Sequence, residues 1–148
     1  MTRNIVGTTE FKRLHENAKL PYSATIGAAG KDLYAVEDVV AQPGDRVLVP
    51  LGFAMALPEG LEFQIRPRSG NAFKYGLTVL NSPGTIDSDY RGEVKVILHN
   101  TSDTAHLVKA GDKVAQGVYN FVPLVDQKWV DELDDTERGE GGFGHTGS

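Results

Sequence analysis

Between Arg46 and Leu57, in RVLVPLGFAMAL, the residues Val47, Val49, Leu51, Phe53, Met55 and Leu57 fall at every second position. Side chains alternate between the two faces of a strand, so this spacing gathers all six on one buried face and predicts a strand pair. The same period returns in LEFQIRP, where Leu61, Phe63 and Ile65 oppose Glu62, Gln64 and Arg66, and in EVKVILHN through Val94, Val96 and Leu98. From Lys113 to Leu124, Val114, Val118 and Val122 stand among Ala115, Tyr119 and Phe121, the pattern of a central strand that is apolar on both faces. Turn signals separate these runs at Pro43-Gly44, Pro58-Glu59-Gly60, Ser82-Pro83-Gly84 and Ala110-Gly111-Asp112. Many short strands in a chain of 148 residues predict one all-β domain, a jelly-roll-like sandwich or barrel with at most one short helix. That helix is expected around Asn71 to Tyr75, with Ser69 as N-cap and Gly76 as its stop. Asp126 to Leu133 is a weaker helical candidate that also fits a strand. The stretch from Asp134 to Ser148 is acidic and then Gly-rich, which predicts a mobile arm (134–148) following a β domain (1–133).

Composition excludes whole classes of chemistry. Lys and Arg number 15 against 20 Asp and Glu, a net charge of −5 with no basic block, which argues against a nucleic-acid partner. The absence of cysteine removes disulfides, thiolate nucleophiles, iron–sulfur sites and cysteine-ligated zinc. No apolar run approaches the roughly 18 to 20 residues of a membrane span, and MTRNIVGTTEFKR lacks an apolar signal core. The expectation is a cytoplasmic protein with no membrane partner. His15, His99, His106 and His145 have neither HxH nor HExxH spacing, so any metal is expected to be a hard, oxygen-bound ion.

Five segments carry groups suited to phosphate chemistry. RGEGGFGHTG (138–147) nearly spells a phosphate loop, but it is followed by no helix whose amides could face the anion. Its local chemistry survives that failure: glycines admit an anion to the backbone, Arg138 offers a planar fork of donors and Thr146 a hydroxyl. PRSG (67–70) puts Arg68 and the Ser69 hydroxyl at the start of the expected helix, where a simple turn with a capping serine is the plainer reading. NSPGTIDSDYRGEVKV (81–96) is expected to form a β-hairpin whose tip bears Asp87, Asp89, Tyr90 and Arg91. Aspartates there would cap backbone amides, bind a metal or activate water, and spacing alone leaves all three open. Asp32 reads as a turn residue, Gln116 as a strand amide serving a backbone partner, and Arg66 as a solvated charge.

In this order and at these separations, AAGKDLYA (28–35), PRSG, NSPGTIDSDYRGE (81–93), GDKVAQ (111–116) and RGEGGFGHTG resemble the five motifs of the trimeric dUTPase family. LHENAKLPYSAT fits the same family less specifically. The resemblance implies a jelly-roll subunit and a homotrimer whose sites combine motifs from different chains. It also implies Mg²⁺-dependent hydrolysis of dUTP to dUMP and pyrophosphate, which lowers dUTP and supplies dUMP for dTMP synthesis. By that resemblance Asp87 deprotonates the attacking water, and Asp89 is structural. Tyr90 packs under the deoxyribose and excludes a 2′-hydroxyl. Backbone groups around Asn81, Gly84, Thr85, Ile86 and Lys95 read the uracil edge, rejecting cytosine by donor pattern and thymine by close packing. Arg68, Ser69, Gly70 and Gln116 hold the phosphates. Asp32 sits near Mg²⁺ through water, the ion being held mainly by the triphosphate. When the arm closes, Phe143 stacks on uracil while Arg138, Gly144, His145 and Thr146 meet the γ-phosphate.

Three positions depart from the family pattern without removing a chemical group. Lys31 precedes Asp32 where an apolar or aromatic residue is common, Asn71 follows PRSG where leucine is frequent, and Gly117 stands where a large apolar residue is usual. Gly117 is the sharpest, because glycine in a strand leaves space that a side chain would fill. Two alternatives share the fold. A dCTP deaminase would release ammonia and lack the intact TIDSDY segment, and a nucleotide-switched regulatory protein that had abandoned catalysis could dispense with Asp87 or the arm.

Overall fold

The structure is a computed structural model that describes residues 4–147; residues 1–3 and 148, at the outer ends of the two expected segments, lie outside the described residues. In chain order the strands are β1 (Glu10–Arg13), β2 (Lys31–Tyr34), β3 (Val39–Ala41), β4 (Arg46–Pro50), β5 (Phe53–Ala56) and β6 (Leu61–Arg66). After the helix α1 (Ser69–Tyr75) come β7 (Leu77–Val79), β8 (Gly84–Ile86), β9 (Lys95–Asn100), β10 (His106–Val108) and β11 (Lys113–Phe121).

The strands form a four-stranded sheet in the order β2-β11-β6-β8, a three-stranded sheet β4-β9-β7, and the pairs β1-β5 and β10-β3. Every pairing is antiparallel, and the sheets do not close into a barrel. The alternating residues do what their period requires. Leu61, Phe63 and Ile65 of β6 are buried while Glu62, Gln64 and Arg66 are half-exposed, and Val49, Leu51, Phe53, Val96 and Leu98 join Phe63 and Ile65 in one core. Each such side chain contributes about 1.5–3 kcal/mol on leaving water.

β4 and β5 are separate strands as the alternation predicts, but they do not pair with each other. Gly52 lies between them in the left-handed region at φ 75°, and the turn it permits sends β5 to β1 while β4 pairs β9. The expected hairpin over residues 81–96 also divides. β8 adds to β6, whereas residue 94 is captured by another part of the chain: Val94 N–H donates to the Phe53 carbonyl, and Leu51 N–H donates to that of Val94. β9 therefore starts in the other sheet. β11 is central as expected, between β2 and β6, although it ends at Phe121 rather than Leu124.

Helix α1 begins two residues ahead of the expected stretch. Arg68, with extended backbone (φ −92°, ψ 134°), occupies the N-cap, so Ser69 is the first helical residue and its hydroxyl caps nothing. Gly76 terminates the helix at φ 65°, as its position suggested. Asn100 is a fully buried polar residue. Its amide donates to the Ala41 and Thr104 carbonyls at 2.9 and 2.8 Å and accepts from the amide and hydroxyl of Ser102, which satisfies it and pins the loop after β9 to β3. No helix or strand forms over residues 122–147, and Asp126 to Leu133 is exposed throughout.

Candidate active site

Strand register builds the first group. Gln116 on β11 pairs Asp32 on β2 to one side and Arg66 on β6 to the other, so these three side chains form a row on the outer face of the sheet. At the end of β6, Pro67 turns the chain toward α1, and its carbonyl accepts a hydrogen bond from Gln116 Nε2 at 2.9 Å. The turn delivers Arg68 to Asp32, with Arg68 Nε 3.2 Å from Oδ1, while Lys113 Nζ lies 3.2 Å from Oδ2. Asp32 thus engages the Arg68 guanidinium through Nε. The amides of Ser69, Gly70 and Asn71 precede the first hydrogen bond of the helix, from Ala72 N–H to the Arg68 carbonyl. Arg66 is half-exposed, in keeping with a solvated charge, and also donates to Gln64 Oε1 from Nε and from one Nη, the latter at 2.8 Å.

A second group forms where β8 meets β9. Asn81, Gly84, Thr85, Ile86 and Lys95 line one small cleft with Ile65, Val79, Val96 and Ile97. Gly84, Thr85 and Ile86 pair with Ile65, Gln64 and Phe63, so this cleft lies at the β8 edge of the sheet, two strands from the β11 that carries Gln116. Just beyond β8, Tyr90 N–H donates to the Asp87 carbonyl, and the Tyr90 hydroxyl donates to the Glu93 carbonyl at 3.0 Å. The Tyr90 ring lies across Gly92, where a Cβ would come within 2.9 Å of its Cε1. Asp87 is exposed, and among the described residues its carboxylate takes part in no hydrogen bond or ion pair. The amide-capping role open to it from sequence is therefore not the one it plays, and the same holds for Asp89.

A third group lies on the segment after β11. Arg138, Phe143, Gly144, His145 and Thr146 line a shallow concavity in which Arg138 Nε donates to the Gly141 carbonyl at 2.8 Å. Phe143 is fully exposed and is the one non-glycine at positive φ (51°) among the described residues. A left-handed bulky residue costs about 1 kcal/mol, and no packing in this chain offsets it.

No residue is shared between the cleft beside Arg68, the cleft at β8 and the concavity of the arm. From Ile86 to Gln116 is two strand spacings across and three residues along β6, on the order of 14 Å. No three His, Cys, Asp or Glu side chains gather as a metal cage among the described residues. Asp32, beside the cationic groups, already has a cation on each oxygen, so the donor set does not fit a directly ligated ion.

The family model described as dUTPase matches residues 16–147. The chain belongs to the dUTPase family. It is 56% identical to the deoxyuridine 5'-triphosphate nucleotidohydrolase of Hydrogenobaculum sp. over 137 residues, 92% of this chain and 95% of that one. Among solved structures, a mutant dUTPase of Staphylococcus bacteriophage 80alpha with dUpNHpp superimposes with a TM-score of 0.88 at 25% identity, covering 97% of this chain and 100% of that one. A mutant dUTPase from phage phi11 of S. aureus, described as revealing the coordination of a structural Mg(II) ion, superimposes with a TM-score of 0.81 at 24% identity, covering 87% and 100%. The β-rich fold without a closed barrel is thus the dUTPase fold.

Within that fold, sequence reasoning missed Lys113. Its signal was its place in GDKVAQ, three residues before Gln116, but the partner Asp32 is 81 positions away and only the β2-β11 pairing joins them. The space left by Gly117 is filled: the Phe63 ring lies where a Cβ would stand. Asn71 also has a task, donating from Nδ2 to the Lys113 carbonyl at 3.0 Å, and Lys31 Nζ meets Ser23 Oγ at 2.9 Å.

Proposed function

We propose that this chain is a dUTP diphosphatase that hydrolyses dUTP to dUMP and pyrophosphate in sites built jointly by three copies. The observation that carries this reading is the division of labour within one chain. Groups suited to phosphate lie in a row on the outer face of a sheet, the cleft lined by Asn81, Gly84, Thr85, Ile86 and Lys95 lies at the β8 edge of that sheet, and the aromatic of the arm is left in solvent. One nucleotide needs all three, and copies related by symmetry can supply them to each other. Residues 1–133 act as the body and 134–148 as the closing arm.

In the assembled site, Arg68, Ser69, Gly70 and Gln116 bind the triphosphate. The Arg68 fork is aimed by Asp32, as positioned donors require. Asp32 would sit near a bound Mg²⁺ through water, the ion being held mainly by the triphosphate, and the ion would supply neutralisation of phosphate charge. Asn81 and the backbone of Gly84, Thr85, Ile86 and Lys95 pair with uracil, and the Tyr90 ring, braced on Gly92, closes the space of a 2′-hydroxyl. Asp87 accepts a proton from a water whose oxygen attacks the α-phosphorus. The α–β bridging P–O bond breaks, pyrophosphate leaves with the electron pair, and Asp87 later returns its proton to solvent. A carboxylate without protein partners is suited to this task. Phe143 on uracil, with Arg138, Gly144, His145 and Thr146 at the γ-phosphate, excludes bulk water when the arm closes.

The test is pyrophosphate release from dUTP, dCTP, dTTP and UTP with Mg²⁺. Only dUTP is expected to turn over efficiently. Asp87→Asn is expected to keep the fold and dUTP binding and to lose on the order of 10² to 10⁴ in kcat, the usual worth of a positioned general base. Near-normal turnover in that variant would overturn the assignment.

A further inference from the structure

Gly30 stands two residues before Asp32, and it is not among the glycines at positive φ, so its backbone does not require glycine. The side chain of Gln116 does. A Cβ at position 30 would stand 3.0 Å from Gln116 Cδ and would overlap Oε1. The other end of the same amide is also fixed, since Nε2 donates to the Pro67 carbonyl at 2.9 Å. That acceptor identifies the nitrogen and leaves its second N–H for one more acceptor. Pro67 immediately precedes Arg68, so the Gln116 amide is tied to the residue next to the guanidinium that Asp32 engages.

We infer that Gly30 is a positioning residue: by leaving room for Oε1 it sets the plane of the Gln116 amide and aims its second N–H at a phosphate oxygen of the substrate. The inference rests on the proposed phosphate role of Gln116. It joins three of the sequence motifs through one absent methyl group, because AAGKDLYA supplies the space, GDKVAQ the amide and PRSG the carbonyl. A methyl at position 30 meets the far end of a flexible side chain, not backbone. The fold therefore survives Gly30→Ala, while the amide must rotate off its acceptor, and a donor aligned before the ligand arrives becomes one that has to be ordered.

The wild-type protein, Gly30→Ala, Gln116→Ala and the double variant are titrated with dUpNHpp and with deoxyuridine by calorimetry, and their thermal midpoints are recorded. Gly30→Ala is expected to lose about tenfold in affinity for dUpNHpp, the order of one hydrogen bond to a charged phosphate. Its affinity for deoxyuridine and its thermal midpoint stay at wild-type values, and the double variant binds dUpNHpp no more weakly than Gln116→Ala alone. Equal losses for both ligands would mean a structural role and overturn the inference, as would losses that add in the double variant. A weakened Gln116→Ala beside an unaffected Gly30→Ala removes the inference and leaves the phosphate role standing. An unaffected Gln116→Ala removes both.

Discussion

Each oxygen of the Asp32 carboxylate faces a cation, Arg68 Nε on one and Lys113 Nζ on the other, whereas Asp87 is exposed and has no such partner among the described residues. The same functional group is thereby set to two tasks, one holding a guanidinium in place and the other available to take a proton. Sequence spacing showed neither, because partners at positions 32, 68 and 113 meet only through strand pairing and the Pro67 turn. Gln116 was more legible: a strand amide serving a backbone carbonyl is what the structure contains, and the phosphate role proposed for it uses its second donor. Tyr119 is a residue whose environment has a measurable consequence. Burial raises its phenol above the ordinary value near 10, partly countered by its hydrogen bond to Thr9 Oγ1 at 2.9 Å. A folded value above the unfolded one means the neutral phenol contributes stability that is fully present below about pH 10 and lost as pH rises through the folded value. Thermal midpoints taken across the alkaline range are therefore expected to fall, and Tyr119→Phe, which cannot ionise, to flatten that fall. At neutral pH the same variant loses about 0.5–1.5 kcal/mol with the hydrogen bond to Thr9.

Strand β11 joins the core to the site, and Gly117 is the position where the two demands meet. Gln116 points outward beside Asp32, while at the next residue the inner face is occupied by Phe63, whose ring also stacks edge-on against Tyr119 at 4.8 Å. Phe63 is fully buried and has nowhere to retreat. Gly117→Ala is expected to destabilise the protein by about 1–3 kcal/mol, the usual penalty of overpacking, read as a lower urea midpoint with an unchanged slope. The inward and outward alternation of β4, β6 and β9 was legible because it is a local property of a pleated backbone, whereas β5 is buried on both faces. Partner choice was not: the turn at Gly52 and the capture of Val94 by residues 51 and 53 depend on chain far away in sequence. The Ser69 cap failed for a nearer reason, since the extended Arg68 already holds the N-cap place. The segment after β11 carries no strand, so truncation after Glu137 is expected to leave the thermal midpoint unchanged while dUTP turnover falls by orders of magnitude.

A lone copy of this chain leaves apolar surface that its own core does not cover. Leu124 and Trp129 are fully exposed beside Val125, Val130 and Leu133, and Val40, Leu48 and Leu107 lie open on the strands. Exposed apolar side chains in this number are suited to contacts between molecules. Together with the separation of the site residues into three groups that share no residue, this exposure supports the proposal that several copies build each site. This reading separates from a self-contained site by mixing inactive chains. Arg68→Ala lacks a phosphate donor but keeps Asp87, and Asp87→Asn lacks the base but keeps Arg68. If each site takes its Asp87 segment from one copy and its PRSG segment from another, random co-assembly of equal amounts gives about a quarter of the sites both intact groups. Denaturing and refolding the two variants together is then expected to restore roughly a quarter of wild-type dUTP turnover, while each variant refolded alone stays inactive. A site complete within one chain would regain nothing, because every chain in the mixture carries one lesion or the other.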